Sequence, residues 1–215
     1  MPVSHILSPR QVRELINSHA FAEYTGLPLT AVVTIRWQDT VGWRDSLFQP
    51  RMTHLTHSMG RWLSYEAGVP PVYQWIAENT PFNPSSQNHG LHAHMRVHVP
   101  FPAIWDFIRA FPQWVAGAKD RPNIIFFSGG EHPFRASRRA RIGTLKYYLK
   151  GAGAMVRNQL GIDDRGPQGI IYGQRCRVSH SIGREARGKA GFQNLHAWPD
   201  LRNVLWPEEA VAQAA

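Results

Sequence analysis

The sequence predicts an α+β protein in which helices pack against an antiparallel β-sheet. Segments with the alternating apolar pattern of strands and segments with the apolar spacing of helices are mixed along the chain, without the regular βαβ order of a parallel sheet. The 215 residues are 43% hydrophobic and 18% charged, which excludes the class of disordered proteins for the bulk of the chain. This length corresponds to one domain with room for an appendage.

The first third of the chain predicts a helix, a strand and a second helix. Residues 10–18 have the composition of a short helix. Residues 29–37 are rich in β-branched side chains in alternating positions, which predicts a strand. Residues 50–67 carry Met, Leu and Trp side chains at helical spacing, and the following Gly68 predicts the end of that helix.

A long hairpin is predicted next. Residues 72–78 and 91–99 both have strand patterns, and residues 79–90 between them are full of Pro, Ser and Asn. Pro100 ends the second strand. Because the connection is a loop, we expect the two strands to lie side by side in antiparallel orientation.

The second half predicts two helices and a short strand. Apolar residues at helical spacing run from Ile104 to Phe111, and residues 123–127 have the composition of a strand. Residues 137–151 predict a basic amphipathic helix that closes at its terminal glycine. The following segment, 152–189, is rich in glycine and basic residues and gives no clear element.

Basic side chains are concentrated in one quarter of the chain. The protein has 24 Lys and Arg residues against 15 Asp and Glu, and residues 135–189 hold 13 of the basic and three of the acidic ones. A concentrated positive field is typical of proteins that bind polyanions. Nucleic acid is therefore favoured as a partner over a basic face that is merely solvated.

The cysteine count and the hydropathy of the chain indicate the cellular compartment. The single cysteine, Cys176, excludes a disulfide framework and a multi-cysteine metal site, and it fits a reducing cytosol. The N-terminus lacks the basic and apolar regions of a secretory signal. No stretch approaches the roughly 18 apolar residues of a membrane-spanning helix. We therefore expect a cytoplasmic protein that does not span a membrane.

The strand 91–99 has one polar and one apolar face. Because successive side chains of a strand alternate, the polar face is formed by His92, His94, Arg96 and His98, and the other face is wholly apolar. We expect the apolar face to meet the core and the polar face to project from a half-buried sheet. Two histidines two positions apart can bind one metal ion through their ring nitrogens.

A third metal ligand would come from the neighbouring strand. Glu78 ends the strand 72–78, and the hairpin would bring it near His92 or His94. Two histidines and a carboxylate leave coordination positions open for water and a phosphate oxygen. The alternative is that these histidines are hydrogen-bonded structural groups.

The predicted basic helix carries a second group of interest. Tyr147 and Lys150 lie three residues apart and share a helix face. A tyrosine hydroxyl is a poor nucleophile until something stabilises the phenolate, and a lysine one turn away can do this or can hold a phosphate. The adjacent Tyr148 points about 100° away, and we expect it to pack in a core stripe with Leu145 and Leu149. Core packing is also the alternative for Tyr147.

The two groups together resemble the motif pair of the HUH single-strand DNA endonucleases, specifically their rolling-circle replication initiators. The run His92–His94 (His-Ala-His) fits the metal motif, and the later run Tyr147–Lys150 (Tyr-Tyr-Leu-Lys) fits the nucleophile motif. The run Ala31–Ile35 is similar to the family's first strand motif, and the three motifs stand in the family's order. The resemblance covers residues 29–151.

The resemblance implies a domain layout and a metal site. Residues 1–151 would form the nickase core, an antiparallel sheet flanked by helices, and residues 152–215 would be a basic C-terminal extension of the same domain. A divalent ion, Mg or Mn, would be held by His92 and His94, with Glu78 as the third ligand.

The resemblance also implies the reaction. Tyr147, assisted by Lys150, would attack a phosphate of single-stranded DNA at a replication origin. The products would be a 5′-phosphotyrosine and a free 3′-OH that primes rolling-circle replication. The sequence contains no phosphate-binding loop of the Gly-x-x-x-x-Gly-Lys-[Ser/Thr] type, so strand unwinding would need a host helicase.

Basic residues near these motifs are candidate contacts to DNA phosphates. They are Arg96, Arg138, Arg139, Arg141, Lys146, Arg175 and Arg177. The same expectation extends to the other basic residues of 152–189. Tyr172, Phe192 and Trp198 are candidate stacking partners for bases, with core packing as the alternative.

Three other functions stay open on the sequence. An HUH transposase would use the same motifs. A non-enzymatic nucleic-acid-binding protein with a structural histidine cluster would show no metal-dependent cleavage. A metal-dependent hydrolase would use His92, His94 and Glu78 with water as the nucleophile, so Tyr147 would be dispensable and no covalent adduct would form.

Overall fold

The structure, a computed structural model, describes residues 3–80, 90–117, 125–127, 137–164, 166 and 168–207. Most of the predicted loop 79–90 and the start of the predicted strand 123–127 lie outside the described residues. The helices and strands are, in chain order, β1 (Val3–Ser4), α1 (Pro9–Tyr24), β2 (Ala31–Arg36), α2 (Phe48–Tyr65), β3 (Tyr73–Thr80), β4 (Gly90–Val97), α3 (Ile104–Trp114), β5 (Ile125–Phe127), α4 (Arg138–Leu149), α5 (Ala154–Leu160), β6 (Ile171–Tyr172), β7 (Cys176–Val178), α6 (Arg184–Lys189) and α7 (Trp198–Leu205).

Five strands form the central sheet in the order β5-β2-β4-β3-β7. Every neighbouring pair is antiparallel, and helices flank the sheet, so the predicted α+β class is confirmed. The β3–β4 pairing places Glu78 opposite His92, which confirms the predicted antiparallel neighbours. β1 and β6 form a separate two-stranded ribbon in which Val3 pairs with Tyr172.

One face of the sheet carries the larger apolar core. Side chains of α2 and α3, such as Leu55, Met59 and Phe107, belong to the same buried cluster as Trp75 of β3 and Met95 of β4. These strand residues alternate with the polar ones along each strand. The apolar face of the strand 91–99 therefore meets the core, as its pattern predicts.

The opposite face of the sheet is also covered, which corrects one expectation. α1 and α4 pack here, and Leu15 and Leu145 share a buried cluster with Ile76 of β3. His92, His94, Arg96 and His98 are all buried. The polar face of this strand therefore does not project from a half-buried sheet, because two helices close over it.

α1 is longer than the predicted helix 10–18. It begins with a capping box, in which Ser8 accepts a hydrogen bond from the Gln11 backbone and the Gln11 side chain accepts one from the Ser8 backbone. It continues through Asn17 and Ser18, which are buried and donate hydrogen bonds to backbone carbonyls. These buried polar residues interrupt the apolar spacing, so the pattern predicts too short a helix.

Residues beyond Gly151 build part of the same fold. β7 adds an edge strand to the central sheet beside β3, and α7 supplies Leu201 and Leu205 to the core under α1 and α4. The sequence pattern of 152–189 predicts none of the four short elements α5, β6, β7 and α6. Among the helices within the described ranges, none has both the length and the apolar character needed to cross a lipid bilayer.

Candidate metal and tyrosine site

A buried group of three potential metal ligands lies on the β3–β4 hairpin. Nε2 of His92 is 3.2 Å from Oε2 of Glu78, and Nε2 of His94 is 3.5 Å from the same oxygen. The potential ligand atoms of the three residues all lie within 4.8 Å of one another. This group could hold a metal ion. The antiparallel register explains the proximity, because Glu78 and His92 are direct partners and His94 follows on the same face.

The outer ring nitrogens of both histidines are engaged elsewhere. Nδ1 of His92 lies 2.9 Å from the carbonyl oxygen of Gly90, to which only a protonated nitrogen can donate. Nδ1 of His94 lies 2.8 Å from the hydroxyl of Thr34 on β2. Such contacts orient the rings of metal-ligating histidines and fix their tautomers. Nε2 of His92 is then the ring atom that faces Glu78.

The inner atoms of the cluster fit a bound cation. Nε2 of His92 and Oε2 of Glu78 face each other at 3.2 Å, and both are atoms of the kind that ligate a divalent ion. Among the described residues, Oε1 of Glu78 and Nε2 of His94 are buried without a hydrogen-bond partner. Buried polar atoms without partners are costly, and a divalent ion that accepts nitrogen and oxygen ligands satisfies all of them.

The charge states at neutral pH suit metal binding. Burial alone raises the pKa of Glu78, but the ring nitrogens of His92 and His94 and the charge of Lys150 outweigh burial and hold this pKa well below its usual range. Burial lowers the pKa of His94, and Glu78 opposes that shift without reversing it. The cluster therefore presents an ionised carboxylate and a neutral His94 imidazole, which are the forms that bind metal.

The α4 tyrosine and its lysine lie beside this cluster. The ring of Tyr147 meets the ring of His94 edge-on, with the centroids 5.4 Å apart. Nζ of Lys150, the residue that follows α4, is 2.9 Å from Oε2 of Glu78 and 3.6 Å from the centroid of the Tyr147 ring. The structure thus brings together the five residues that the sequence predicts as catalytic or metal-ligating.

The two adjacent tyrosines have different surroundings. Tyr147 is 36% exposed, whereas Tyr148 is 1% exposed and its hydroxyl donates a hydrogen bond of 3.0 Å to the backbone oxygen of Met95. Burial raises the pKa of Tyr148 far above its ordinary value. Leu145 and Leu149 belong to the same buried cluster, so the predicted core stripe is confirmed.

Comparison of the chain with protein-family models, with curated proteins and with solved structures gives no match. The chemistry assigned to this cluster therefore rests on the motifs and on the geometry described above.

Three of the predicted DNA contacts are wrong, because their guanidinium groups lie inside the protein. Arg96 is buried under α1 and α4 and donates hydrogen bonds to Gln74 and to the backbone oxygen of Arg141. Arg141 is itself buried and pairs with Glu23 at 2.6 Å. Arg175 is buried and donates to backbone oxygens, including that of Ser4 at 2.7 Å.

The other predicted DNA contacts lie at the surface. Arg138, Arg139 and Arg177 are exposed. Lys146 places its Nζ atom 2.9 Å from the ring centroid of Trp206, and with Arg138 and Arg139 it lines a groove of about 560 Å³. No sequence pattern identifies Trp206 or Thr34 as a neighbour of these groups, because their positions depend on which helix and which strand lie next to them.

Gly169 approaches the end of β3 too closely to carry a side chain. Its φ is +67°, and an added Cβ atom would overlap the carbonyl oxygen of Asn79, next to Glu78. We expect Gly169→Ala to lower the free energy of unfolding by about 3 kcal/mol or more, because it adds a backbone clash to the strain of a left-handed residue. Gly68→Ala is the matched control, with φ +65° and no described atom within 4 Å. Its expected cost is about 1 kcal/mol, and equal losses in urea unfolding would contradict the proposed clash.

Stability toward acid is expected to depend on His19, which accepts a hydrogen bond from Arg96. Burial lowers the pKa of His19 well below its ordinary value, and the charges of Arg96 and Arg141 lower it further. The unfolded chain therefore binds a proton that the folded protein excludes, so the free energy of unfolding falls as the pH drops below about 6.5.

A glutamine at this position retains an acceptor but does not titrate. We expect His19→Gln to reduce the pH dependence of the free energy of unfolding. The reduction is up to about 1.4 kcal/mol per pH unit below the pKa of a histidine in the unfolded chain. Urea titrations near neutrality and in mild acid measure this for both proteins. His94 titrates alike in both, so an unchanged pH dependence in the variant would show that His19 is not responsible.

Proposed function

We propose that the protein is a metal-dependent endonuclease and strand transferase for single-stranded DNA, which nicks a replication origin through Tyr147. The observation that carries the proposal is the contact of a half-exposed Tyr147 with both Lys150 and His94, the latter a member of the buried ligand group. A tyrosine beside a metal-ligand cluster fits a nucleophile better than it fits a packing residue.

Glu78, His92 and His94 would hold a divalent ion, which we propose to be Mg or Mn. When bound, such an ion supplies Lewis-acid polarisation of a scissile phosphate. The ligand group offers three protein atoms and so leaves further coordination positions for water and substrate oxygens. The Thr34 hydroxyl and the Gly90 carbonyl orient the two imidazoles.

Tyr147 would carry out the bond exchange. Its hydroxyl oxygen forms a bond to the scissile phosphorus and gives up its proton to solvent water, and the bond between phosphorus and the 3′ oxygen breaks. The leaving oxygen takes up a proton to become a free 3′-OH. Lys150, whose ammonium group lies against the Tyr147 ring, stabilises the negative charge that develops on the phenol oxygen during attack.

The 5′-phosphotyrosine conserves the energy of the phosphodiester bond. A later 3′-OH can therefore attack it, release Tyr147 and rejoin a strand. The free 3′-OH can meanwhile prime rolling-circle replication. On this proposal a host helicase supplies unwinding, because the chain carries no phosphate-binding loop of its own.

A covalent trapping experiment tests the function. The full chain is incubated with a pool of labelled single-stranded oligonucleotides and Mn²⁺, and the products are separated in SDS. We expect a labelled band that resists SDS and that disappears when EDTA replaces the metal. Cleavage without an adduct would instead support the hydrolase with a water nucleophile, and the absence of both cleavage and adduct would support the non-enzymatic DNA-binding protein.

A further inference from the structure

A cleft lined by arginines lies apart from the metal and tyrosine site. It encloses about 500 Å³ and is formed by the first half of α1, by β7, by α6 and by the segment 194–196. Among the described residues, no member of the metal and tyrosine site lines it. Whatever it binds is therefore held by a different set of side chains.

The lining of this arginine cleft is strongly basic. Within the described part of the chain, a single carboxylate, that of Glu14, faces five guanidinium groups, which belong to Arg10, Arg13, Arg177, Arg184 and Arg187. The thiol of Cys176, which also lines the cleft, adds no negative charge, because burial raises its pKa to about 12. The cleft thus has a large positive excess.

Two of the five arginines are held in place by the protein. Arg187 is buried and donates to both carboxylate oxygens of Glu14, at 3.0 and 2.7 Å, and to the side chain of Asn194. Arg13 donates to the backbone oxygen of His196 and lies 4.3 Å from the ring centroid of Trp198. These contacts fix the positions of two side chains that line the cleft. They also pair the Glu14 carboxylate with Arg187.

The other three arginines are available to a ligand. Arg10, Arg177 and Arg184 are exposed, and no side-chain hydrogen bond or ion pair joins them to any other described residue. Like charges that line one concave surface repel each other and raise the local positive potential. A polyanion relieves this repulsion, and guanidinium groups bind phosphate oxygens in a bidentate manner.

We propose that the arginine cleft is a second nucleic-acid-binding site, which holds the phosphodiester backbone of a DNA segment without a metal ion. A strand held here stays on the protein while a different segment reaches Tyr147. The site itself does not depend on the proposed cleavage reaction.

A salt titration of DNA binding tests the cleft. Single-stranded DNA is titrated with the wild-type chain and with Arg10→Ala/Arg184→Ala in the presence of EDTA, over a range of salt concentrations. Each phosphate contact on a single strand contributes roughly 0.7 to the slope of log affinity against log salt. We expect the double variant to bind more weakly and its slope to decrease in magnitude by about 1.4, since two contacts are lost.

Arg44→Ala/Arg61→Ala is the matched control. It removes the same charge from two exposed arginines that do not line the cleft, and we expect its slope to stay at the wild-type value. Equal decreases in both variants, or no decrease in the cleft variant, would overturn the proposal. So would a cleft variant that loses binding of inorganic phosphate but keeps that of DNA, because the cleft would then be a small-anion site. Since EDTA is present throughout, a failure of the covalent trapping experiment does not affect this result.

Discussion

Tyr147→Phe is expected to abolish covalent attachment to DNA and to leave the fold, metal binding and DNA binding unchanged. The substitution removes one oxygen and keeps the ring that contacts His94 and Lys150. Because Tyr147 is half exposed, no buried polar partner is left without a hydrogen bond. Tyr147 is the only tyrosine on this face of α4, and the nearby Thr144 hydroxyl is bonded to the Ala140 carbonyl, so the SDS-resistant band should fall below detection.

Tyr148→Phe is the matched control on the same helix. The Tyr148 hydroxyl is committed to the Met95 carbonyl in a buried position, and the raised pKa keeps it protonated. We expect this variant to form the adduct and to lose about 1 kcal/mol of stability with its hydrogen bond. Peptide mapping of the wild-type adduct locates the DNA. Attachment at Tyr148 would reverse the assignment, and an adduct in the double variant would exclude α4 as the source of the nucleophile.

The proximity of Glu78 to the histidines could be predicted because it depends on short-range rules. Strand side chains alternate, and a loop between two strand patterns makes them antiparallel neighbours. These two rules place Glu78 near His92, and the structure pairs the two directly. The three-residue spacing of Tyr147 and Lys150 is local in the same sense, because helix geometry alone brings the two side chains together.

The burial of Arg96 could not be predicted in this way. The same alternation that places His92 and His94 on one face places Arg96 there as well, and a guanidinium group on a polar face resembles a surface contact. Burial comes from α1 and α4, which close over this face and supply the acceptors His19 and the Arg141 backbone oxygen, while β3 supplies Gln74. That packing joins residues far apart in the chain and leaves no local pattern.

Short elements could not be predicted for a related reason. β7 has only three residues, Cys176–Val178, and its place at the edge of the sheet is set by pairing with β3. Thr34 orients His94 only because β2 lies beside β4 in that register. A pattern that spans three residues cannot be separated from a loop.

His94→Ala is expected to remove measurable Mn²⁺ binding. The substitution deletes one of three protein ligands, and losses of even an outer-shell partner cost 10- to 100-fold in affinity as an order of magnitude, so we expect a weakening of at least about 100-fold. His94 is a cleaner target than Glu78, because Glu78 also pairs with Lys150 and its loss would leave a buried ammonium group unpaired.

Calorimetric titration of Mn²⁺ measures the affinity directly, and unfolding with and without Mn²⁺ provides a second readout. At a metal concentration 100 times the wild-type dissociation constant, the wild-type chain should gain about 2.7 kcal/mol, and the variant should gain at most about 0.4 kcal/mol.

His98→Ala is the matched control on the same strand face. His98 lies four residues beyond His94, roughly 13 Å away at about 3.3 Å per residue, and its ring contacts the backbone oxygen of Pro28. This distance is too long for a shared ion, so we expect wild-type Mn²⁺ affinity together with a modest loss of stability. Equal Mn²⁺ affinity in the wild-type chain and both variants would remove the metal site. Glu78 and Lys150 would then form a structural ion pair, and the unpartnered Oε1 of Glu78 and Nε2 of His94 would need buried water in place of a cation.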